Sequence, residues 1–307
     1  MVKTPELSVV VPIYGGFDLA RACVSVQSIL FQQGLDYEVI ISEQGESRRF
    51  PEMPGVRHIF KYHKPQSHLS DFNTGNVRNE AVALATGEFV YTNDADIVFL
   101  EPNYLAKSVE AIKGSSDRVL YRPFMRRLPL DEFGEFERRV HDFGIGEAIA
   151  SLDLSQDYVI TLNGKPRKVR VFKKESVYSK IFTAFEEDFQ DYVGDNRNKG
   201  SEPMFWNENR HGGGNLFRMK QFRDVGGYSE EFITWGCEDS DLQWKFREVY
   251  DLQFFPKDLE VMHLDHPKEY FSPKMWAHNE DISARRIKEG LEKTIENDRR
   301  NKLWQPR

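Results

Sequence analysis

The sequence predicts an α/β protein with a mostly parallel central sheet flanked by helices. Three observations carry this expectation. Short apolar runs recur through the first third of the chain, segments of helical period separate them, and glycines and acids gather where the runs end. The first run, LSVVVPI (7–13), is continuously apolar, as a strand buried on both faces requires. Pro12 suits the exit of such a strand but not its middle. Gly15-Gly16 turns the chain. Leu19, Ala22/Cys23, Val26 and Ile29/Leu30 then recur at helical spacing, and Gly34 ends the helix. YEVIIS (37–42) and VRHIF (56–60) read as the second and third strands. A helix over 74–86, stopped by Gly87, leads into a fourth strand, EFVYT (88–92).

Residues 101–113 read as a helix after Pro102. The stretch from about 125 to 205 is charged, carries several aromatics and breaks at Gly and Asn, so it reads as an inserted, partly helical and mobile segment. Order returns with GGGNLFRMKQFRDVGGYSEEF, which reads as a Gly-rich turn, a strand and a short helix. LEVMHL (259–264) is a last strand, and residues 273–300 form a highly charged helical tail.

With 307 residues there is room for one large α/β domain or two smaller ones. The formal charge of -7 argues against a nucleic-acid or anionic-membrane partner. Cys23 and Cys237 make no disulfide framework and fit a reducing compartment. No apolar run reaches the roughly 18 residues of a membrane helix, and the start reads as a strand rather than a signal peptide. A cytoplasmic protein is expected, with peripheral membrane contact left open.

In open α/β sheets, ligands bind beyond the carboxyl ends of the strands. That rule places Tyr14, Glu43 and the pair Asp94/Asp96 on one rim. The pair stands in TNDADIVF (92–99). Acids are poor strand residues, and buried unpaired charge is costly. A hard divalent cation shared by the two carboxylates would neutralise them and leave coordination sites open for phosphate oxygens. A bare D-x-D is more often a solvated turn, but Arg78 lies on the helix feeding this strand, and its planar fork suits phosphate.

A second cluster, WGCEDSDLQWKF (235–246), places Glu238, Asp239 and Asp241 at a helix start. Acids there favour the helix dipole; beside Trp235 they also suit a sugar, with a flat apolar face for the ring and carboxylates for its hydroxyls. In VMHLDHP (261–267), His263 ends a predicted strand as a candidate metal ligand, and His266 could replace it.

Together, LSVVVPIY, ISEQG, VRNEAVALATGEFVYTNDADI and GGGNLFRMKQFRDVGGYSEEFITWGCEDSDLQWKF resemble the nucleotide-sugar glycosyltransferases of the A-type (GT-A), Rossmann-like fold. The first half is similar to the large family-2 group. The second resembles the galactosyltransferase module shared by β-1,4-galactosyltransferases, chondroitin-type polymerases and polypeptide N-acetylgalactosaminyltransferases. The likeness covers about residues 5–120 and 208–267. It implies a GT-A domain with a nucleotide-sugar half (1–120) and an acceptor half (208–267), an acceptor-side insert (121–207) and a helical tail (268–307).

The resemblance implies roles. Pro12 and Tyr14 would line the nucleoside pocket, and Glu43 would stand where the family reads uracil with an Asp. Arg78 would approach the diphosphate. Asp94 would touch ribose or metal, and Asp96 and His263 (or His266) would ligate Mn²⁺ or Mg²⁺. Gly213 and Gly214 would admit the donor sugar. Trp235, Gly236 and Glu238 would hold the acceptor, with Asp239 as base; Cys237 fills a position that is usually small. Retaining relatives usually have Asn after the Glu, so Asp239 points to inversion. The implied reaction moves a hexose or N-acetylhexosamine from a UDP-sugar to a hydroxyl of a glycan or glycoconjugate. The competing readings are a nucleotidyltransferase or sugar-nucleotide hydrolase, and a non-catalytic sugar- or nucleotide-binding module. PIYGGFDLA lacks the basic loop residue of the former, and a mere binder needs no base.

Overall fold

The computed structural model describes residues 4–63, 72–152, 158–162, 165–169, 210–234, 236–266 and 273–300. The strands in chain order are β1 (Leu7–Tyr14), β2 (Tyr37–Gly45), β3 (Val56–Tyr62), β4 (Phe89–Thr92), β5 (Ile97–Phe99) and β6 (Arg118–Tyr121). They continue with β7 (Phe124–Leu128), β8 (Tyr158–Leu162), β9 (Lys165–Val169), β10 (Asn215–Arg218), β11 (Asp251–Phe254) and β12 (Glu260–Leu264). The main sheet runs β11-β6-β10-β4-β1-β2-β3. Every pairing in it is parallel except the two made by β10. A smaller sheet, β5-β12-β7, stands beside it, and β8 and β9 form a separate hairpin.

Strand alternation sends neighbouring residues to opposite faces, and both faces are covered. Val9, Val11, Val39, Ile41 and Tyr91 point into one core, under α1 (Leu19–Leu30). Val10, Ile40 and Val90 point into the other, under α2 (Thr74–Ala83). This is why the first strands read as unbroken apolar runs. Val10 faces β4 with its carbonyl, which accepts from Asn93 N at 2.9 Å. Pro12, two residues on, stands past the last β1–β4 pairing, so its missing N–H removes no ladder bond on that side.

The expected elements are present, with shifted ends. The helix expected over 74–86 ends at Ala83, and the one expected over 101–113 begins at Tyr104 as α3 (Tyr104–Lys113). Gly87 does not stop the helix; it lets the chain pass β1, because a Cβ there would lie 2.7 Å from Ser8 N.

The larger difference concerns the expected insert. Its first part belongs to the core. β7 pairs in parallel with β12, and α4 (Phe133–Phe143) and α5 (Ile145–Ala150) pack on the small sheet through Phe136, Val140 and Ile149. The sequence disguises this because Arg126 and Arg127 are buried as ion pairs, with Glu260 at 2.6 Å and Asp265 at 2.9 Å. Most of the remainder, 170–209, lies outside the described residues.

The chain continues through α6 (Met219–Asp224), α7 (Glu238–Val249), α8 (Pro273–Glu289) and α9 (Leu291–Asp298). The charged tail folds back on α7, where buried Arg286 bonds Asp241 at 2.7 Å, Asp298 at 2.6 Å and Glu231 at 2.8 Å. Among the described residues, no helix is long and apolar enough to cross a membrane.

Candidate active site

A cleft opens beyond the carboxyl ends of β1 and β4. It is lined by Pro12 and Tyr14 from β1, Asp94 and Asp96 after β4, Arg78 on α2, and Glu238 and Asp239 at the start of α7. Phe17, Phe72, Thr74 and Thr234 complete its walls. The Tyr14 ring packs on Phe17 and Phe72, with centroids 5.6 and 4.8 Å apart. Among the described residues, the non-glycine residues with positive φ are Arg122, Thr234 and Cys237, and Thr234 lines the cleft. Such conformations cluster where a site over-determines the backbone.

The two acids of the D-x-D segment have different partners. Asp94 pairs with Arg78. The same guanidinium, 2% exposed, reaches Glu238 Oε1 at 3.3 Å and Asp239 Oδ1 at 3.1 Å and lies over the Tyr228 ring at 5.1 Å. One buried cation thus serves three carboxylates. That leaves the acids under-compensated: burial, together with the charge on Asp239, pushes the Glu238 carboxyl up to about 7. Burial raises Asp239 as well; Arg78 opposes this and Asp94 adds to it.

Asp96 sits among histidines. His266 Nε2 is 2.9 Å from Asp96 Oδ2, and His263 Nε2 is 3.5 Å from the same oxygen. One ligand atom from each of the three residues lies within 4.8 Å of the others. On its far side, His263 Nδ1 meets Asp265 Oδ1 at 2.9 Å, and Arg127 Nη1 donates to that oxygen at 2.9 Å. This arrangement turns Nε2 of His263 toward Asp96, as carboxylate–histidine pairs do around metals. Burial opposes ionisation of Asp96, but the two histidines outweigh it and hold the carboxyl below its usual range. Burial likewise lowers His263, which favours the neutral, ligating imidazole. Asp96 Oδ1 is buried without a hydrogen-bond partner. A carboxylate, two imidazoles and an orphaned oxygen fit a divalent cation.

Most residues expected at the site converge, and some depart from expectation. Asp94 was expected to share the cation; its carboxylate instead engages Arg78, and it stands outside the three-residue ligand group. Glu43 ends on the expected rim but does not line the cleft. Its buried carboxylate accepts from Arg49 N at 2.8 Å and Phe50 N at 3.3 Å, so it holds the following loop. Both His263 and His266 reach Asp96, so neither substitutes for the other.

Gly213 is seated against the site's own acid: a Cβ there would lie 2.6 Å from Asp94 Oδ2. Its carbonyl accepts from Thr92 Oγ1 at 2.9 Å. At Gly214 a Cβ would meet Pro123 at 2.7 Å, and at Gly236 (φ +112) it would meet Trp276 at 2.6 Å. Trp235 lies outside the described residues. His211 was not anticipated. It is buried, with Nε2 3.5 Å from Asp94 Oδ2; its one sequence signal is that it immediately precedes the glycine run.

A mostly parallel α/β sheet thus gathers acids, histidines and a buried arginine beyond its carboxyl edge. Two stretches of the chain match glycosyltransferase family models. Residues 8–138 match the family model for glycosyl transferase family 2, and residues 198–267 match the model described as the N-terminal domain of galactosyltransferase. No curated protein matches the chain. Solved structures with some likeness include a mannosyltransferase from Pyrobaculum calidifontis in complex with GDP-Man and Mn²⁺, at 14% identity and a TM-score of 0.45. That match covers 88% of this chain and 59% of the other. S. aureus TarS 1-349 is 13% identical with a TM-score of 0.43, covering 84% and 60%. The longer S. aureus TarS structure is 14% identical with a TM-score of 0.47, covering 92% and 39%. The chain therefore spans three-fifths or less of the length of these proteins.

Proposed function

We propose that this chain transfers a hexose or N-acetylhexosamine from a UDP-sugar to a hydroxyl of a glycan or glycoconjugate, with inversion and with a divalent cation. One observation carries the reading: two adjacent carboxylates, buried Glu238 and half-buried Asp239, line the same cleft as Asp96 of the Asp96–His263–His266 group. A donor held at the second would meet an acceptor held at the first.

Asp96, His263 and His266 would hold Mn²⁺ or Mg²⁺. The cation supplies positive charge to the leaving diphosphate. Pro12, Tyr14, Phe17 and Phe72 form a semi-apolar wall that suits a nucleoside. Asp239 is the general base, taking the proton from the acceptor hydroxyl as that oxygen attacks the anomeric carbon. A base raised by burial holds that proton better than an ordinary carboxylate does. Glu238, braced by Gly236 N at 3.0 Å, orients the acceptor, with Trp235 as the expected stacking face. Arg78 joins the two halves of the cleft and steadies charge on both.

The test is calorimetric titration with UDP, GDP and a panel of UDP-sugars, each with Mn²⁺ and with EDTA, on wild type and Asp96→Ala. Uridine-nucleotide binding that needs metal and Asp96 is expected. Equal binding in EDTA, or a preference for GDP, would refute the metal or the base assignment respectively.

A further inference from the structure

The carboxyl rim continues past the cleft onto β6 and β11. These strands run parallel with Phe254 opposite Tyr121, so both end on the side where Asp94 and Asp96 follow β4. Tyr121 stacks on Phe254, with centroids 4.5 Å apart. The Arg210 guanidinium lies 3.9 Å over Phe124 and 4.1 Å over Phe254, and its Nη1 donates to the Arg122 carbonyl at 2.8 Å. Phe254 is 42% exposed.

Arg122 adopts a left-handed conformation, φ 52, which a side chain of this size rarely takes. Its guanidinium donates to Gln243 Oε1 at 2.8 Å and to Ser240 Oγ at 3.3 Å, and Ser240 is the residue after Asp239. Arg247 stands one helical turn beyond Gln243 on α7. The charges of all three arginines reach the Tyr121 hydroxyl.

None of the three is paired with a carboxylate among the described residues. This sets Arg122 apart. The other buried arginines, Arg21, Arg78, Arg126, Arg127 and Arg286, each have a carboxylate within ion-pair distance. The chain carries 49 acids against 42 bases, yet among the described residues these three guanidinium groups gather without an ion-paired carboxylate. Arg210 Nε is also buried without a hydrogen-bond partner. The charge of Asp239 reaches Arg122, but Asp239 is paired with Arg78, and a buried cation without a carboxylate of its own is costly unless a ligand supplies one.

We propose that the rim from Tyr121 to Phe254 is an acceptor subsite for an anionic saccharide. A sugar ring lies against the exposed edge of Phe254. A carboxylate, phosphate or sulfate on it is held by the planar forks of Arg122, Arg210 and Arg247. The inference rests on the transferase reading, because it uses the position of Arg122 beside Asp239 to place the subsite next to the attacking hydroxyl. It adds the substrate class: the acceptor is an acidic glycan.

The test is titration of the full chain with three tetrasaccharides: one bearing uronate, one bearing phosphate and one neutral. Wild type, Arg210→Gln and Arg247→Gln are compared, and metal-dependent UDP binding is measured on the same samples. The expected result is binding of an acidic tetrasaccharide at least about tenfold tighter than the neutral one, a difference the size of one charge-assisted hydrogen bond. That preference falls in both variants while UDP binding stays unchanged, and the uronate and phosphate arms identify the anion. No preference for the acidic sugars, no saccharide binding, or unchanged preference in both variants overturns the proposal. Loss of UDP binding in wild type with the acidic preference kept would overturn the transferase reading instead and leave the subsite standing.

Discussion

Arg78 Nη1 donates to Asp239 Oδ1 over 3.1 Å, joining α2 in the first half of the chain to α7 in the second. The bond spans 161 positions in sequence and ties the donor-side acid Asp94 to the proposed base through a single guanidinium.

Arg78→Gln removes the only cation within ion-pair distance of Glu238 and Asp239 among the described residues. Breaking a buried ion pair by deleting one partner costs about 3–5 kcal/mol. Urea denaturation at neutral pH should show a loss of that size. An unchanged midpoint would mean that solvent, not Arg78, compensates the acids.

Asp239→Asn keeps an oxygen for Arg78 but cannot accept the acceptor proton. Transfer should slow by about 10²–10⁴-fold, the usual contribution of general base catalysis, while nucleotide affinity holds. Initial rates and nucleotide titration on the same preparation separate the two. A variant that retains most of its rate would move the base elsewhere, with Glu238 first in line.

The raised Glu238 carboxyl makes stability depend on pH. In the folded chain it stays protonated up to about 7, whereas the unfolded chain titrates near the ordinary glutamate value of 4.5. Stability from this group is therefore complete below about pH 4.5 and is lost as pH rises through 7. Each unit of difference is worth about 1.4 kcal/mol, so wild type should lose a few kcal/mol relative to Glu238→Gln between pH 4.5 and 8. Denaturation curves that stay parallel across this range would refute it. The acid limb of the transfer rate should likewise stand above the ordinary carboxylate range, because Asp239 is also raised.

Asp265 touches no proposed ligand site directly but holds His263 Nδ1. Asp265→Asn should weaken Mn²⁺ binding by about 10–100-fold, the usual effect of losing such a supporting carboxylate. Electron paramagnetic resonance of free Mn²⁺ against protein concentration measures this without any turnover. Unchanged affinity would show that the imidazole is oriented by packing alone.

The fold was largely legible because its evidence is local. Apolar runs announce two-faced strands, and LSVVVPI, YEVIIS and EFVYT occupy the centre of the main sheet. The rim rule then brought Tyr14, Asp94 and Asp96 to one cleft. β7 was hidden because FMRRL carries two arginines whose acid partners, Glu260 and Asp265, lie more than 130 residues away. Glu43 stands on the rim as its position past a strand suggests, but its use as a loop anchor depends on backbone N–H groups that no pattern reveals.

By itself the sequence determined which residues carry charge and which strands end beside one another, since periodicity and strand order are properties of neighbouring residues. Only the tertiary structure decided how those charges are shared. It assigned Arg78 to Asp94, Glu238 and Asp239, gathered both histidines on Asp96, and left Arg122, Arg210 and Arg247 without an ion-paired acid among the described residues. The physical reason is range: an ion pair forms within a few ångströms of space, and packing of the folded chain sets that distance whatever the separation in sequence.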